Sequence, residues 1–350
     1  MASITLKNVP NDLAIRDREF VVLAGPGGSE IVRLIAGLEN VSQGEILFDD
    51  RKINETVAHD RDVALVSHDY TPYPGLSVFE NFAIGLRRRK FADAEIKKRI
   101  AAVASALGLD AELEANAESL SPEQRRLVGL ARAMVRQPKV YLFDNPFAGL
   151  EAAAARRGRA EIVKLHQRSS ATIVYATRDP AEALGFAERT VVFADGAIQQ
   201  SGPAKNIYDA PANLAVAKFF GDPPMNLVAG ALKQERGALV FSEVGDGTIA
   251  TPLAADRYSN AQDFVGKQVL LGFHPEDVEI GADAGFRALV ERAENTGAGT
   301  DLYLQTGAHR LIARTLGWDQ EAGGHRIQFR INLGKAHLFD PSTGQRVTRE

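Results

Sequence analysis

The sequence predicts an α/β domain followed by a small all-β domain, and three patterns predict it. Up to about Pro211, short β-branched runs alternate with longer segments of helical period, as expected of a sheet with covering helices. Two of those runs, Val21-Val22-Leu23-Ala24 and Val140-Tyr141-Leu142-Phe143, are apolar at every position, so both faces of their sheet are covered. After Asn226 the chain changes to short alternating stretches separated by Gly and Asp turns, the texture of a small β-barrel.

The runs Ile4–Val9, Phe20–Ala24, Glu45–Phe48, Val63–Ser67, Val140–Phe143, Ala171–Ala176 and Thr190–Phe193 read as strands, being short and rich in β-branched and aromatic residues. Apolar residues recur at helical spacing over Glu30–Gly37, Val78–Leu86, Asp93–Leu107, Pro122–Arg136, Ala152–Gln167 and Pro180–Phe186. Gly221-Asp222-Pro223-Pro224 breaks any helix and sets a boundary between domains 1–225 and 226–350. Beyond it, Val269–Phe273, Phe286–Glu294, Asp301–Gln305, Leu311–Thr315 and Ile327–Ile331 alternate as half-buried strands, with room for two similar small barrels.

Composition narrows the function. In 350 residues, 41 Lys and Arg face 45 Asp and Glu, a formal charge of −4 that offers no broad positive field to a phosphate polymer, so no nucleic-acid partner is expected. The absence of cysteine removes disulfides, thiolate zinc sites and thiol nucleophiles. The opening MASITLKNVP is not a charged leader with an apolar core, and no window reaches the apolar length of a membrane span; a cytoplasmic chain, or one docked on a membrane through partners, is expected. The seven histidines show no metal-ligand spacing, and no G-x-S-x-G elbow is present.

The run Phe20–Ala24 leads through Gly25-Pro26-Gly27-Gly28-Ser29 into a helix, the layout of a phosphate-binding loop. Read from Gly25, the pattern G-x-x-x-x-G-K-[ST] meets Glu30, Ile31 and Val32 where Gly, Lys and Ser/Thr belong. A three-residue deletion after Gly28 restores the helix register and lets Ser29 supply the magnesium-binding hydroxyl, but no alignment supplies the lysine. Glu30 satisfies the helix dipole and repels a phosphate. A phosphate cradle and a tight turn without ligand are both open at this point.

Gly37-Leu38-Glu39, Tyr73-Pro74-Gly75-Leu76-Ser77-Val78-Phe79-Glu80-Asn81, Leu130-Ala131-Arg132-Ala133, Pro138-Lys139-Val140 and Asp195-Gly196-Ala197-Ile198-Gln199-Gln200 resemble the ATP-binding subunits of ABC importers for sugars and glycerol phosphate. The likeness continues through Tyr208-Asp209-Ala210-Pro211-Ala212-Asn213, His274-Pro275-Glu276-Asp277 and His337-Leu338-Phe339-Asp340-Pro341, so it covers nearly the whole chain in order. It implies a P-loop NTPase, ABC-type nucleotide-binding domain with a helical subdomain at about 72–135, then an OB-like (TOBE) regulatory domain. It also implies ATP and Mg as ligands, a second ATP-binding subunit in a homo- or heterodimer, and two transmembrane permease subunits. A solute-binding protein would be engaged indirectly, and the chain would sit peripherally on the inner face of the cell membrane.

The chemical positions are the ones that depart from the family. Its signature Leu-Ser-Gly-Gly-Gln reads Leu120-Ser121-Pro122-Glu123-Gln124, which replaces two close-approaching glycines by a residue without an N–H and a carboxylate. Asp144-Asn145 stands for Asp-Glu, His68 for the loop glutamine, Arg178 for the switch histidine and Glu151 for the loop aspartate. Loss of a general base costs on the order of 10²–10⁴ in rate. Val9–Ile15 lacks the aromatic that stacks on adenine, a contact worth roughly 1–3 kcal/mol.

By resemblance, Gly25, Pro26, Gly27, Gly28 and Ser29 would cradle phosphate, with Asp144 and Ser29 serving magnesium and His68 beside them. Ser121 and Gln124 would close from the second subunit, and Asn145 and Arg178 hold the degenerate catalytic positions. Tyr70, Tyr73, Pro74 and Phe79 fall where the family receives its permease subunits; the plainer reading is packing of the helical subdomain. Two functions are therefore carried forward: a hydrolysis-impaired importer subunit, and a nucleotide-independent scaffold or regulatory partner of a competent ATPase subunit.

Overall fold

The computed structural model describes residues 3–347 apart from 10, 186, 255, 256, 282–284, 298 and 317–322. Contacts divide the chain into two compact units, Met1–Ala204 and Lys205–Glu350.

The first unit runs β1 (Ile4–Val9), β2 (Asn11–Ile15), β3 (Phe20–Ala24), α1 (Gly28–Ala36), β4 (Glu45–Phe48), β5 (Arg51–Lys52) and β6 (Val63–Ser67). It continues with α2 (Val78–Arg88), α3 (Asp93–Leu107), α4 (Pro122–Arg136), β7 (Val140–Asp144), α5 (Ala152–Arg168), β8 (Thr172–Thr177), α6 (Pro180–Gly185), β9 (Arg189–Ala194) and β10 (Ala197–Gly202). Six strands form a sheet in the order β10-β9-β3-β8-β7-β6, in which β9, β3, β8, β7 and β6 are parallel and β10 turns back antiparallel. A second, antiparallel sheet has the order β2-β1-β4-β5.

Every residue of β3, β7 and β8 is buried, as expected of strands with apolar centres covered on both faces. Val21, Leu23, Val140, Leu142 and Val174 share one core with Ile31, Val32 and Ile35 of α1. That packing fixes α1 directly behind the glycine turn, so the carboxyl ends of the parallel strands and the start of α1 converge, where ligands bind in open α/β sheets.

Three strands of this unit escape the sequence reading. β5 has only two residues; β2 follows a proline and buries only Leu13 and Ile15; β10 is a polar edge strand. The expected helix Pro180–Phe186 ends at Gly185, and Phe186 lies outside the described residues.

The second unit begins with α7 (Ala204–Asp209) and α8 (Leu214–Phe219), followed by β11 (Asn226–Glu235), β12 (Ala238–Glu243), β13 (Ala250–Leu253), β14 (Gln268–Phe273) and β15 (Val278–Ile280). The last strands are β16 (Phe286–Asn295), β17 (Thr300–Gln305), β18 (Arg310–Thr315), β19 (Arg326–Ile331) and β20 (His337–Phe339). They form two antiparallel five-stranded sheets, β13-β12-β11-β14-β20 and β15-β19-β16-β17-β18. The two sheets do not make the two small barrels for which the sequence left room. Val228, Phe241 and Leu271 of one share a single core with Val290, Leu304 and Phe329 of the other, giving one barrel-like, OB-like fold. Residues 205–225 belong to this unit by contact: Leu214 N–H donates to the Gly344 carbonyl at 2.8 Å and Arg346 N–H to the Ala212 carbonyl at 3.0 Å.

His337 makes this unit acid-sensitive. Its Nε2 lies 2.8 Å from the Asp209 carbonyl, and its buried Nδ1 has no partner among the described residues. Burial pushes its pKa down from 6.5 to about 4, with the Asp209 bond opposing the shift. The unfolded chain therefore takes up this proton first, and stability is complete above pH 6.5 and is lost as pH falls towards 4. The loss amounts to about 3 kcal/mol. Urea titrations across that pH range are expected to show it, and His337→Gln should flatten the dependence.

Candidate functional site

The glycine segment after β3 is a closed turn. Gly25 N–H donates to the Thr177 carbonyl at 2.9 Å, and Gly28 N–H donates back to the Gly25 carbonyl at 3.3 Å. Gly25 has φ +101°, and a Cβ there would lie 2.2 Å from the Phe193 carbonyl oxygen; a Cβ on Gly28 would lie 2.6 Å from that of Leu23. Close backbone packing therefore demands both glycines without reference to any ligand. Glu30 stands in the first turn of α1, where its charge complements the helix dipole.

Asn145 ties the elements around this turn together. β7 ends at buried Asp144, and the next residue turns away with φ +46° while its N–H donates to the Ala176 carbonyl at 2.9 Å. The Asn145 carboxamide Nδ2 donates to Ser29 Oγ and to Asp144 Oδ1, both at 2.9 Å, and Oδ1 accepts from Arg178 N–H at 3.1 Å. One side chain thus joins the start of α1, the end of β7 and the loop after β8. A carboxylate has no proton to give Ser29 or Asp144 and would set a second negative charge against Asp144.

A cleft of about 1050 Å³ brings together Pro26, Ser29, His68, Asp144, Asn145 and Arg178. His68 N–H donates to the Asp144 carbonyl at 3.1 Å, and its side chain is exposed. Among the charged groups on the wall that the sequence reading missed are Arg33, Arg159 and Glu182. Arg33 lies four residues after Ser29 on α1, a spacing that puts both on one face, and its Nη1 is 3.9 Å from Asp144 Oδ2. Buried Glu182 accepts from Arg159 Nη1 at 2.9 Å, Tyr175 Oη at 2.9 Å and Thr177 Oγ1 at 2.6 Å. Burial, reinforced by Glu182, holds the Tyr175 hydroxyl well above its ordinary pKa. Nothing local in the sequence marks Arg159 or Glu182, whose meeting depends on how α5 and α6 pack.

Ser121 and Gln124 are not on this cleft. They form a capping box at the start of α4: Ser121 Oγ accepts from Gln124 N–H at 3.2 Å, and Gln124 Oε1 accepts from Ser121 N–H at 3.0 Å, with Pro122 at the first helical position. Ser-x-x-Gln with an intervening Pro is a helix-start pattern legible in sequence. Ser121→Ala is expected to lower stability by about 1 kcal/mol, read from the denaturation midpoint.

Tyr70 and Tyr73 line a separate cleft of about 310 Å³ beside α2 and α4. The Arg132 guanidinium lies 5.1 Å from the Tyr70 ring centre and 4.2 Å from that of Tyr73. Tyr70 packs closely on Gly129, while Tyr73 and Pro74 are exposed and Phe79 is half-buried.

A parallel sheet whose central strand passes through a glycine turn into a helix, beside a strand ending in a buried aspartate, defines a P-loop NTPase fold. The family model "ABC transporter" matches residues 9–148. The chain is 36% identical to the oligosaccharides import ATP-binding protein MsmX of Bacillus subtilis, over 96% of this chain and 93% of that protein. It is also 36% identical to the sn-glycerol-3-phosphate import ATP-binding protein UgpC of Bordetella avium, with the same coverage. The cbiO1 structure from Clostridium perfringens, part of the ABC transporter complex cbiONQ, matches with a TM-score of 0.51 and 22% identity over 60% of this chain and 90% of that one, which shows the shared fold. The chain belongs to the family of ABC-transporter ATP-binding proteins. Members of that family bind ATP with magnesium, and among the described residues no helix here is long and apolar enough to cross a membrane.

Proposed function

We propose that this chain is a hydrolysis-impaired subunit of an importer for sugars or glycerol phosphate. It works on the inner face of the cell membrane with a second, competent ATP-binding subunit, two permease subunits and, through them, a solute-binding protein. The importer class rests on the two relatives and on a likeness that spans the chain.

Asn145 carries the impairment. Its carboxamide cannot take a proton from an attacking water, and it already occupies Ser29 Oγ and Asp144 Oδ1, the two groups a magnesium shell would need. The Gly28 amide is likewise engaged within the turn, Glu30 is placed to repel phosphate and the glycine turn carries no lysine. The residues present do not fit a magnesium-bound triphosphate, and nucleotide binding is weak or absent. The same self-satisfied turn favours a second reading, a nucleotide-independent scaffold or regulatory partner, because nothing in it waits for a ligand.

The exposed Tyr73 and Pro74, with Tyr70 and Phe79 behind them, are the surface assigned to the permease. Chemical crosslinking of the tagged chain in its own cells tests the assembly. Recovery of two permease subunits and an ATP-binding partner that carries the lysine and glutamate is expected, reduced by Tyr73→Glu. Recovery of a solitary homodimer would contradict it.

A further inference from the structure

We propose that a second cleft in the first unit binds a small amphipathic organic anion, at a site that owes nothing to the nucleotide reading. This cleft, of about 620 Å³, lies among α3, α4 and α5 at the start of β7, the opposite end of that strand from Asp144. Its volume is that of a pocket for a small molecule.

Its lining has two chemistries. Val103, Met134 and Leu165 supply an apolar wall. Lys139, Lys164 and Arg168 supply positive charge; Lys164 is held by Glu161 at 2.6 Å, whereas Lys139 and Arg168 are exposed and make no ion pair among the described residues.

Tyr141 gives the independent sign of a ligand. It lines the cleft and is fully buried, yet its hydroxyl has no hydrogen-bond partner among the described residues, and burial pushes its pKa far up. Buried hydroxyls are nearly always paired, because an unmade bond forfeits the hydration lost on burial. A water would satisfy the hydroxyl but would leave the apolar wall and the two unpaired cations without a role. A ligand with an apolar body and an anionic head meets all three, its head between Lys139 and Arg168 and a polar atom on Tyr141 Oη.

Calorimetric titration of the full chain with octanoate, and with octanol and octylammonium as neutral and cationic probes, tests the proposal. Octanoate is expected to bind, octanol about tenfold more weakly, and octylammonium not at all. Arg168→Glu should weaken octanoate about tenfold and leave octanol unchanged; being exposed, this position can be changed without disturbing the fold. Tyr141→Phe should weaken octanoate several-fold while raising the unligated melting temperature, since it removes the orphaned hydroxyl. No binding of octanoate, equal binding of the three probes, or octanoate binding indifferent to Arg168→Glu would each overturn the proposal.

Discussion

Inserting Cys-Gly-Lys after Gly28 is expected to tighten Mg-ATP binding by at least about 100-fold. The inserted lysine adds charge-assisted bonds to the phosphates, and lengthening the loop frees the Gly28 amide from the Gly25 carbonyl. Two such contacts at roughly 1.5–3 kcal/mol each account for the gain. In that background Asn145→Glu should raise hydrolysis by on the order of 10²–10⁴, because it supplies the missing general base. In the native background the same substitution should give no hydrolysis and should destabilise the fold by about 1–3 kcal/mol, since it removes the donor to Ser29 and sets a carboxylate against Asp144. Calorimetric titration and phosphate release separate these outcomes. An unchanged affinity after the insertion would mean that the loop is not where binding was lost.

Glu182→Leu is expected to lower the stability of the first unit by about 3–5 kcal/mol, the largest loss from any single change considered. It strips the shared acceptor from Arg159, Tyr175 and Thr177 together, while the Asp179 N–H stays on Thr177 Oγ1. Glu182→Gln keeps the shape and one acceptor oxygen, and should cost clearly less. Equal midpoints for the two variants in urea would show that the network contributes nothing beyond packing.

The legible parts of the molecule were those written in local pattern. β3 and β7 announced themselves as apolar runs, and α4 by its periodic apolar face. The chain from Asn226 was legible as all-β, but not its single core, since that depends on which strand faces which: β11 with Val228 and β19 with Phe329 lie about a hundred residues apart in sequence. The site divides in the same way. Ser29, His68, Asp144, Asn145 and Arg178, which lie together on the cleft, were singled out by their places in the family's motifs. Arg159 and Glu182 were not, because a helix midpoint and a short helix carry no sign of the cleft they share until α5 and α6 are packed.

What Asn145 does was also out of reach of sequence. An amide where a glutamate belongs reads as a lost proton acceptor. Its two donated bonds and one accepted bond make it a positive structural element, a clamp between Ser29, Asp144 and the Arg178 amide. The departures at Gly28, Glu30, Pro122 and Asn145 agree with one another in this respect: each leaves its own surroundings hydrogen-bonded or charge-complemented, which a site awaiting ATP would not.

Titrating the unmodified chain with Mg-ATP in a calorimeter decides the matter. No saturable heat up to millimolar nucleotide is expected from a turn whose amide, serine and aspartate are already engaged. A saturable isotherm in the micromolar range would contradict it, and would mean that the closed turn opens readily and that this chain is a working nucleotide-binding subunit.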